Sequence, residues 1–254
     1  MGRRPLVAAN WKLNGSIGLC KQYAEKLSNA PQIDCWVFPS AVHVSTLAKM
    51  FKESAANVRV GVQNIYTEQT GAFTGENSAD LARDVGATTV IVGHSERRIH
   101  FMESSQSVAH KTAKALDAEL TPIICVGEQL DDRDEGQAEE VVEEQLEAVN
   151  SHCSTAVWQH VTVAYEPVWA IGSGIAATPE QAQEMHNRIR VMIKNWNEPA
   201  SKAIRLLYGG SVNSRNAGEL ISQPDIDGFL VGGASLDIDS FGDIVEQARI
   251  GDAL

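Results

Sequence analysis

Eight short apolar runs, each followed by a stretch of helical character, recur along the 254 residues and leave few folds open. The runs occupy 5–10, 34–38, 58–63, 88–92, 122–126, 161–165, 204–208 and 226–231. They are apolar throughout rather than alternating, which is the pattern of parallel strands covered on both faces by helices. The helical stretches read as 16–29, 43–53, 78–85, 103–119, 135–151, 179–197, 214–221 and 240–249. In the fifth of these, Val141, Val142, Leu146 and Val149 fall at helical spacing. Thr178-Pro179-Glu180 is a helix start, with Thr as N-cap, Pro at the first helical position and Glu in the first turn. Eight βα units without a linker or low-complexity stretch predict an α/β fold, one closed (β/α)8 barrel domain over residues 1–254.

Composition matters mainly for what it excludes. The net charge of −12 argues against nucleic acid and against an anionic membrane surface as partners. No run approaches the roughly 20 apolar residues of a membrane span. Met1-Gly2-Arg3-Arg4-Pro5 has no apolar segment of a secretory leader behind it. Cys20, Cys35, Cys125 and Cys153 are scattered, without a C-x-x-C pair, and read as reduced thiols of a cytoplasmic protein. An acidic chain can still take an anionic small molecule, provided the site is built locally from backbone N–H groups, helix N-termini and one or two placed cations.

In such a barrel the chemistry sits where strands end, on the loops that follow them. That rule selects Asn10 and Lys12, the segment 93–98 (GHSERR), Glu166, Gly209-Gly210-Ser211 and Gly232-Gly233-Ala234-Ser235. The two glycine pairs are either tight turns or a phosphate cradle, since the loops after strands seven and eight are the usual phosphate site. Glu166 ends the sixth strand, and Pro167 stops the ladder behind it. Trp169, Ile171 and Gly172-Ser173-Gly174 follow as an apolar, glycine-punctuated loop able to cover a carboxylate. Gly172, Gly174 and Ala177 also fit the dinucleotide pattern G-x-G-x-x-A. The context is wrong for it: 167–171 separate the first glycine from the strand, and no acidic residue closes a strand about 20 residues on.

Each polar residue has a plain reading beside the chemical one. His94 is either structural or a neutral imidazole polarising a carbonyl, and no metal-ligand spacing accompanies it. Lys12 is a Schiff-base lysine, an anion-binding cation or a solvated lysine, with Glu96 a candidate partner. Glu166 is a capping carboxylate or, with water excluded, a general base. One carboxylate, one imidazole, one cation and a phosphate cradle suit proton abstraction next to the carbonyl of a sugar phosphate. An aldolase using Lys12 covalently and a barrel that only binds a phosphate metabolite remain as alternatives.

Five motifs, at 10–15 (NWKLNG), 93–98, 164–174 (AYEPVWAIGSG), 208–212 (YGGSV) and 231–236 (VGGASL), resemble those of the triosephosphate isomerase family, in order and across the whole chain. The resemblance implies interconversion of dihydroxyacetone phosphate and D-glyceraldehyde 3-phosphate without a cofactor or metal. It implies Glu166 as the base between C1 and C2, His94 as the group polarising the carbonyl, and Lys12 and Asn10 as stabilisers of the enediolate. The N–H groups of Gly172, Ser211, Gly232 and Gly233 would hold the phosphate. Tyr208 and Ser211 would latch the loop over the site, and Ile171 and Leu230 would clamp Glu166. The segment 63–76 resembles the family's dimer loop: Thr74 would brace Asn10 and His94 of a second copy, and Glu76 would meet its Arg97. Two residues depart from the family pattern, Ser173 where Thr is common and Ile175 where Lys is common. The catalytic set is untouched by them, so Ile175→Lys is expected to change turnover less than about tenfold.

Overall fold

The eight strands pair in chain order, all parallel, and the last closes on the first. They are β1 (Leu6–Asn10), β2 (Asp34–Phe38), β3 (Val58–Val62), β4 (Thr89–Val92), β5 (Thr121–Val126), β6 (Thr162–Tyr165), β7 (Leu206–Tyr208) and β8 (Gly228–Val231). The computed structural model describes residues 3–27, 33–54, 58–171 and 176–251. Around the barrel run α1 (Ile17–Leu27), α2 (Ala41–Ser54), α3 (Ala79–Asp84), α4 (Ser95–Phe101), α5 (Ser105–Asp117), α6 (Leu130–Asp134), α7 (Ala138–Cys153), α8 (Pro179–Trp196), α9 (Glu198–Ala203), α10 (Ala217–Ile221) and α11 (Ile238–Gly251). Among the described residues no helix is long and apolar enough to cross a membrane.

Strand parity divides the core in two. Leu6, Ala8, Trp36, Phe38, Ile91, Ile123, Cys125, Ala164, Leu207 and Leu230 form one buried cluster, the filling of the barrel. Their sequence neighbours, such as Val7, Ala9, Val37, Val163 and Leu206, belong to the larger cluster under the helices. Side chains two apart on a strand share a face. Asn10 therefore continues the inward series of Leu6 and Ala8, and Glu166 continues that of Ala164. Closure requires β8 to approach β1 closely: a Cβ on Gly228 would lie 1.8 Å from the Leu6 carbonyl oxygen, and its φ of +143° also favours glycine.

Three helical expectations need correction. The segment read as a loop and then one helix over 103–119 is two helices, α4 and α5, separated by Met102 at φ 55°. The helix expected over 135–151 is α7, which starts only at Ala138, and a short helix the sequence reading lacked, α6, precedes it, the two separated by Gly136 at φ +75°. The chain beyond 197 does not simply end a helix. Asn197 turns it, accepts from the Ala200 N–H at 3.1 Å and starts α9, with Pro199 in the first turn, where a missing N–H costs nothing.

Candidate active site

At the C-terminal ends of the strands a cavity of about 560 Å³ is lined by Asn10, Lys12, His94, Glu166, Ser211 and Gly232, among others. The strand-end rule thus brings together residues that lie more than 200 positions apart in sequence. Gly172, also expected here, lies outside the described residues, as do Ser173 and Ile175.

Glu166 is only 2% exposed. Its Oε2 accepts the Ser95 backbone N–H at 2.9 Å, and its Oε1 accepts the Ser95 hydroxyl at 3.3 Å. The same Oε1 lies 3.0 Å from His94 Nε2. Two glycines make room for it. A Cβ on Gly127 would fall 1.8 Å from the Glu166 carbonyl oxygen, and one on Gly209 would fall 2.9 Å from Glu166 Cγ. Gly127 had no role in the sequence reading, Gly209 was read only as half of a tight turn or phosphate cradle, and Ser95 only by its place in the loop.

His94 is the N-cap of α4, and its Nδ1 accepts the Glu96 backbone N–H at 3.2 Å. An acceptor Nδ1 places the ring proton on Nε2. The imidazole is then neutral, and its single N–H points to Glu166 and the cavity.

Lys12 stands at φ 52°, with its N–H on Asn10 Oδ1 at 3.1 Å and its carbonyl accepting from Gln63 Nε2 at 2.9 Å. Its ammonium meets Glu96 Oε1 at 2.8 Å, the partner expected from sequence. Burial works against the Glu96 carboxylate, yet the hydrogen bond and charge of Lys12 hold its pKa below the usual range. The Lys12 stem also lies along β8, since a Cβ on Gly232 would sit 3.2 Å from Lys12 Cε. Among the described residues none of the loop and turn hydrogen bonds uses the N–H of Ser211, Gly232 or Gly233. Gly233 opens a 3₁₀ turn that runs to Leu236. This is a cationic side chain beside a set of unpaired amides, the composition of an oxyanion cradle.

The loop leaving β6 is anchored on both sides of 172–175. Trp169 Nε1 and the Tyr165 hydroxyl both donate to Glu128 Oε1, at 2.8 and 3.0 Å, and Ser211 Oγ donates to the Ala170 carbonyl at 3.2 Å. After residue 175, the Ala177 N–H donates to the Tyr208 hydroxyl at 3.3 Å. Burial pushes the Tyr208 hydroxyl up to about 12, so it stays neutral. Among the described residues no group of three or more His, Cys, Asp or Glu side chains is arranged to hold a metal ion.

The family model described as triosephosphate isomerase matches residues 5–248. The chain is 48% identical over 240 residues to the triosephosphate isomerase of Zygosaccharomyces bailii, covering 93% of this chain and 95% of that protein. It is 42% identical over 249 residues to that of Francisella philomiragia, covering 96% and 97% of the two chains. It is 44% identical over 249 residues to that of Pseudoalteromonas translucida, covering 97% and 98%.

Proposed function

The chain belongs to the triosephosphate isomerase family, and from that premise we propose that it interconverts dihydroxyacetone phosphate and D-glyceraldehyde 3-phosphate by proton transfer through an enediolate, a reaction of glycolysis and gluconeogenesis. The observation that carries the roles is the meeting of Glu166 and His94 Nε2 at 3.0 Å on the wall of the cavity that Lys12 and Asn10 also line. Glu166 takes a proton from the carbon next to the carbonyl and returns it to the neighbouring carbon. A carboxylate accepting several hydrogen bonds is a poor base. The reaction therefore needs Glu166 to leave Ser95 when substrate enters. His94 Nε2–H then turns to the substrate carbonyl and, being neutral, moves protons between the two oxygens. The Lys12 ammonium and the Asn10 side chain offset the charge that develops on those oxygens.

The phosphate is held by the N–H groups of Ser211, Gly232 and Gly233, and Gly172 adds to them by family resemblance. Val168, Ile171, Val212 and Leu230 supply the apolar share of the cavity wall, which favours the base and keeps water from the enediolate. The residues assigned to these steps belong to the chain itself, and the family carries the reaction without a cofactor.

The working form is a homodimer in the cytoplasm. Of the twelve large hydrophobic side chains that are exposed among the described residues, nine lie before residue 103, in the first four βα units. Leu13 and Met102 are 96% and 87% exposed, and Phe73, beside Thr74, is 42% exposed. An apolar surface gathered on one half of a barrel is what an interface with a second copy needs. The loop bearing Thr74 is closed on itself by Tyr66 N–H to Asn77 O at 2.8 Å and by the Tyr66 and Phe73 rings at 4.8 Å, which makes it a preformed projection.

The test is turnover of glyceraldehyde 3-phosphate by the chain and by Glu166→Gln side by side. The parent should be active and the variant down by about 10³-fold, the scale of a lost general base. An inactive parent that still bound inorganic phosphate would replace the isomerase with a binding protein on the same barrel.

A further inference from the structure

Tyr23 lies on α1, fully buried, and nothing in the catalytic reading uses it. Its hydroxyl donates to the Ser235 carbonyl at 2.5 Å, across 212 positions of sequence. Burial pushes that hydroxyl upward from its ordinary pKa, so it keeps its proton and can donate. Ser235 is buried as well, inside the 3₁₀ turn of Gly233–Leu236 that follows β8. Among the described residues no loop or turn N–H reaches its carbonyl. The phenol is what satisfies that buried oxygen, and a buried acceptor left unpaired is costly.

The turn closes on Gly232 through the same residue. The Ser235 N–H donates to the Gly232 carbonyl at 2.8 Å, and Ser235 Oγ reaches the same oxygen at 2.7 Å. Ser235 Oγ also lies 3.4 Å from the Asn10 carbonyl. The Tyr23 ring is itself fixed, edge-on to Trp11 at 5.0 Å between centroids and against Phe241 of α11 at 5.5 Å. Trp11 stands between Asn10 and Lys12 in the chain. One side chain therefore touches both halves of the cradle, the loop that carries the cation and the turn that carries the amides.

We infer that Tyr23 is a positioning residue for phosphate: through Ser235 it holds the 3₁₀ turn in the setting that aims the Gly232 and Gly233 N–H groups into the cavity. The inference rests on the reading of those amides as the phosphate cradle. Hydrogen bonds weaken steeply when misaligned, so a turn free to shift loses affinity for the anion. A phenylalanine would fill the same space, so packing alone does not account for the hydroxyl.

The experiment is calorimetric titration of the protein with inorganic phosphate, with KM for glyceraldehyde 3-phosphate measured on the same preparations. Tyr23→Phe keeps the ring and its packing and removes one oxygen atom. Its phosphate Kd should rise about 3- to 10-fold, the scale of one lost hydrogen bond, and KM should rise with it. Ser235→Ala removes the hydroxyl from the Gly232 carbonyl and should weaken phosphate too. The double variant should fall short of the product of the two effects, since both act on one turn. Thr112→Val controls for loosening of the barrel at large. It deletes a buried hydrogen bond within α5, from Thr112 Oγ1 to the Val108 carbonyl at 2.9 Å. It should lose stability to urea and keep the parent's phosphate Kd. A folded Tyr23→Phe with a phosphate Kd within about 1.5-fold of the parent, well under the loss of one hydrogen bond, overturns the inference. An equal rise in Thr112→Val, a double variant that reaches the full product, or a parent that takes up no phosphate overturns it as well. Turnover judges the isomerase reading separately: an inactive parent whose phosphate Kd still rises in Tyr23→Phe loses the reaction and keeps the cradle.

Discussion

The room left for the base can be tested by filling it. Gly209 follows β7, and its N–H donates to the Tyr165 carbonyl at 2.7 Å. Its φ lies outside the left-handed range, so the backbone itself accepts alanine. The added methyl carbon is the difficulty. It would lie 2.9 Å from Glu166 Cγ, 3.1 Å from the Tyr165 carbonyl oxygen and 3.7 Å from Glu166 Cα. The two backbone atoms leave the methyl little retreat, so the Glu166 side chain must give way. Reaching an ordinary carbon–carbon separation of about 3.6 Å displaces Cγ by about 0.7 Å, and the carboxylate beyond it by more. A misplacement of about 1 Å at a reacting group costs up to about 10²-fold, or about 2.7 kcal/mol of barrier. Gly209→Ala should therefore lower kcat by about 30- to 100-fold. Overpacking should cost about 1–3 kcal/mol of stability. Inhibition by inorganic phosphate should change little, because the amides of Ser211, Gly232 and Gly233 do not touch the new methyl. The assay is steady-state turnover with a phosphate inhibition constant and a urea melt on the same preparation. A folded Gly209→Ala with kcat within about threefold of the parent would refute the steric argument. It would mean that the base tolerates a shift the geometry says it cannot.

The remaining expectations concern assembly and stability. Thr74→Arg puts a charge on the loop proposed to enter a second copy, so sedimentation should show dimer lost together with activity; a fully active monomer would contradict it. Asp225 accepts from Gln183 at 2.7 Å, from Asn187 at 3.1 Å and from Arg190 Nε at 2.5 Å. Burial works against its charge, but these donors outweigh it and hold its pKa below the usual value. A depressed carboxylate pKa gives stability that is fully present above the unfolded value of about 3.9 and is lost as pH falls through the folded one. Asp225→Asn should be less stable than the parent by about 1–2 kcal/mol at neutral pH. The gap should narrow as melts are taken at pH falling below the unfolded value and through the folded one, and a gap independent of pH would assign the loss to packing instead.

The difference between what the sequence disclosed and what it withheld follows from the range of the forces involved. The strands were legible because a closed parallel sheet buries both faces, and Val-, Ile- and Ala-rich runs announce that locally. The places of Asn10 and Glu166 were legible for the same reason, since each ends such a run in register with its inward side chains. α4 was hidden because its seven residues, SERRIHF, are too few and too polar to show a period. What makes it a helix start is the His94 ring taking the Glu96 N–H, an N-cap outside the usual Ser, Thr, Asp and Asn set. That one unexpected contact also fixes the tautomer that the chemistry needs, so the helix missed in the sequence is the element that prepares the imidazole. Gly127 was silent, and Ser95 and Gly209 were selected without their part in holding the base, for a related reason. Each of these parts is dictated by an atom on another strand, the Glu166 carboxylate or its backbone. Strand parity therefore selects which residues face the cavity, and these nonlocal contacts set how they are held, which is the part a reading along the chain cannot reach.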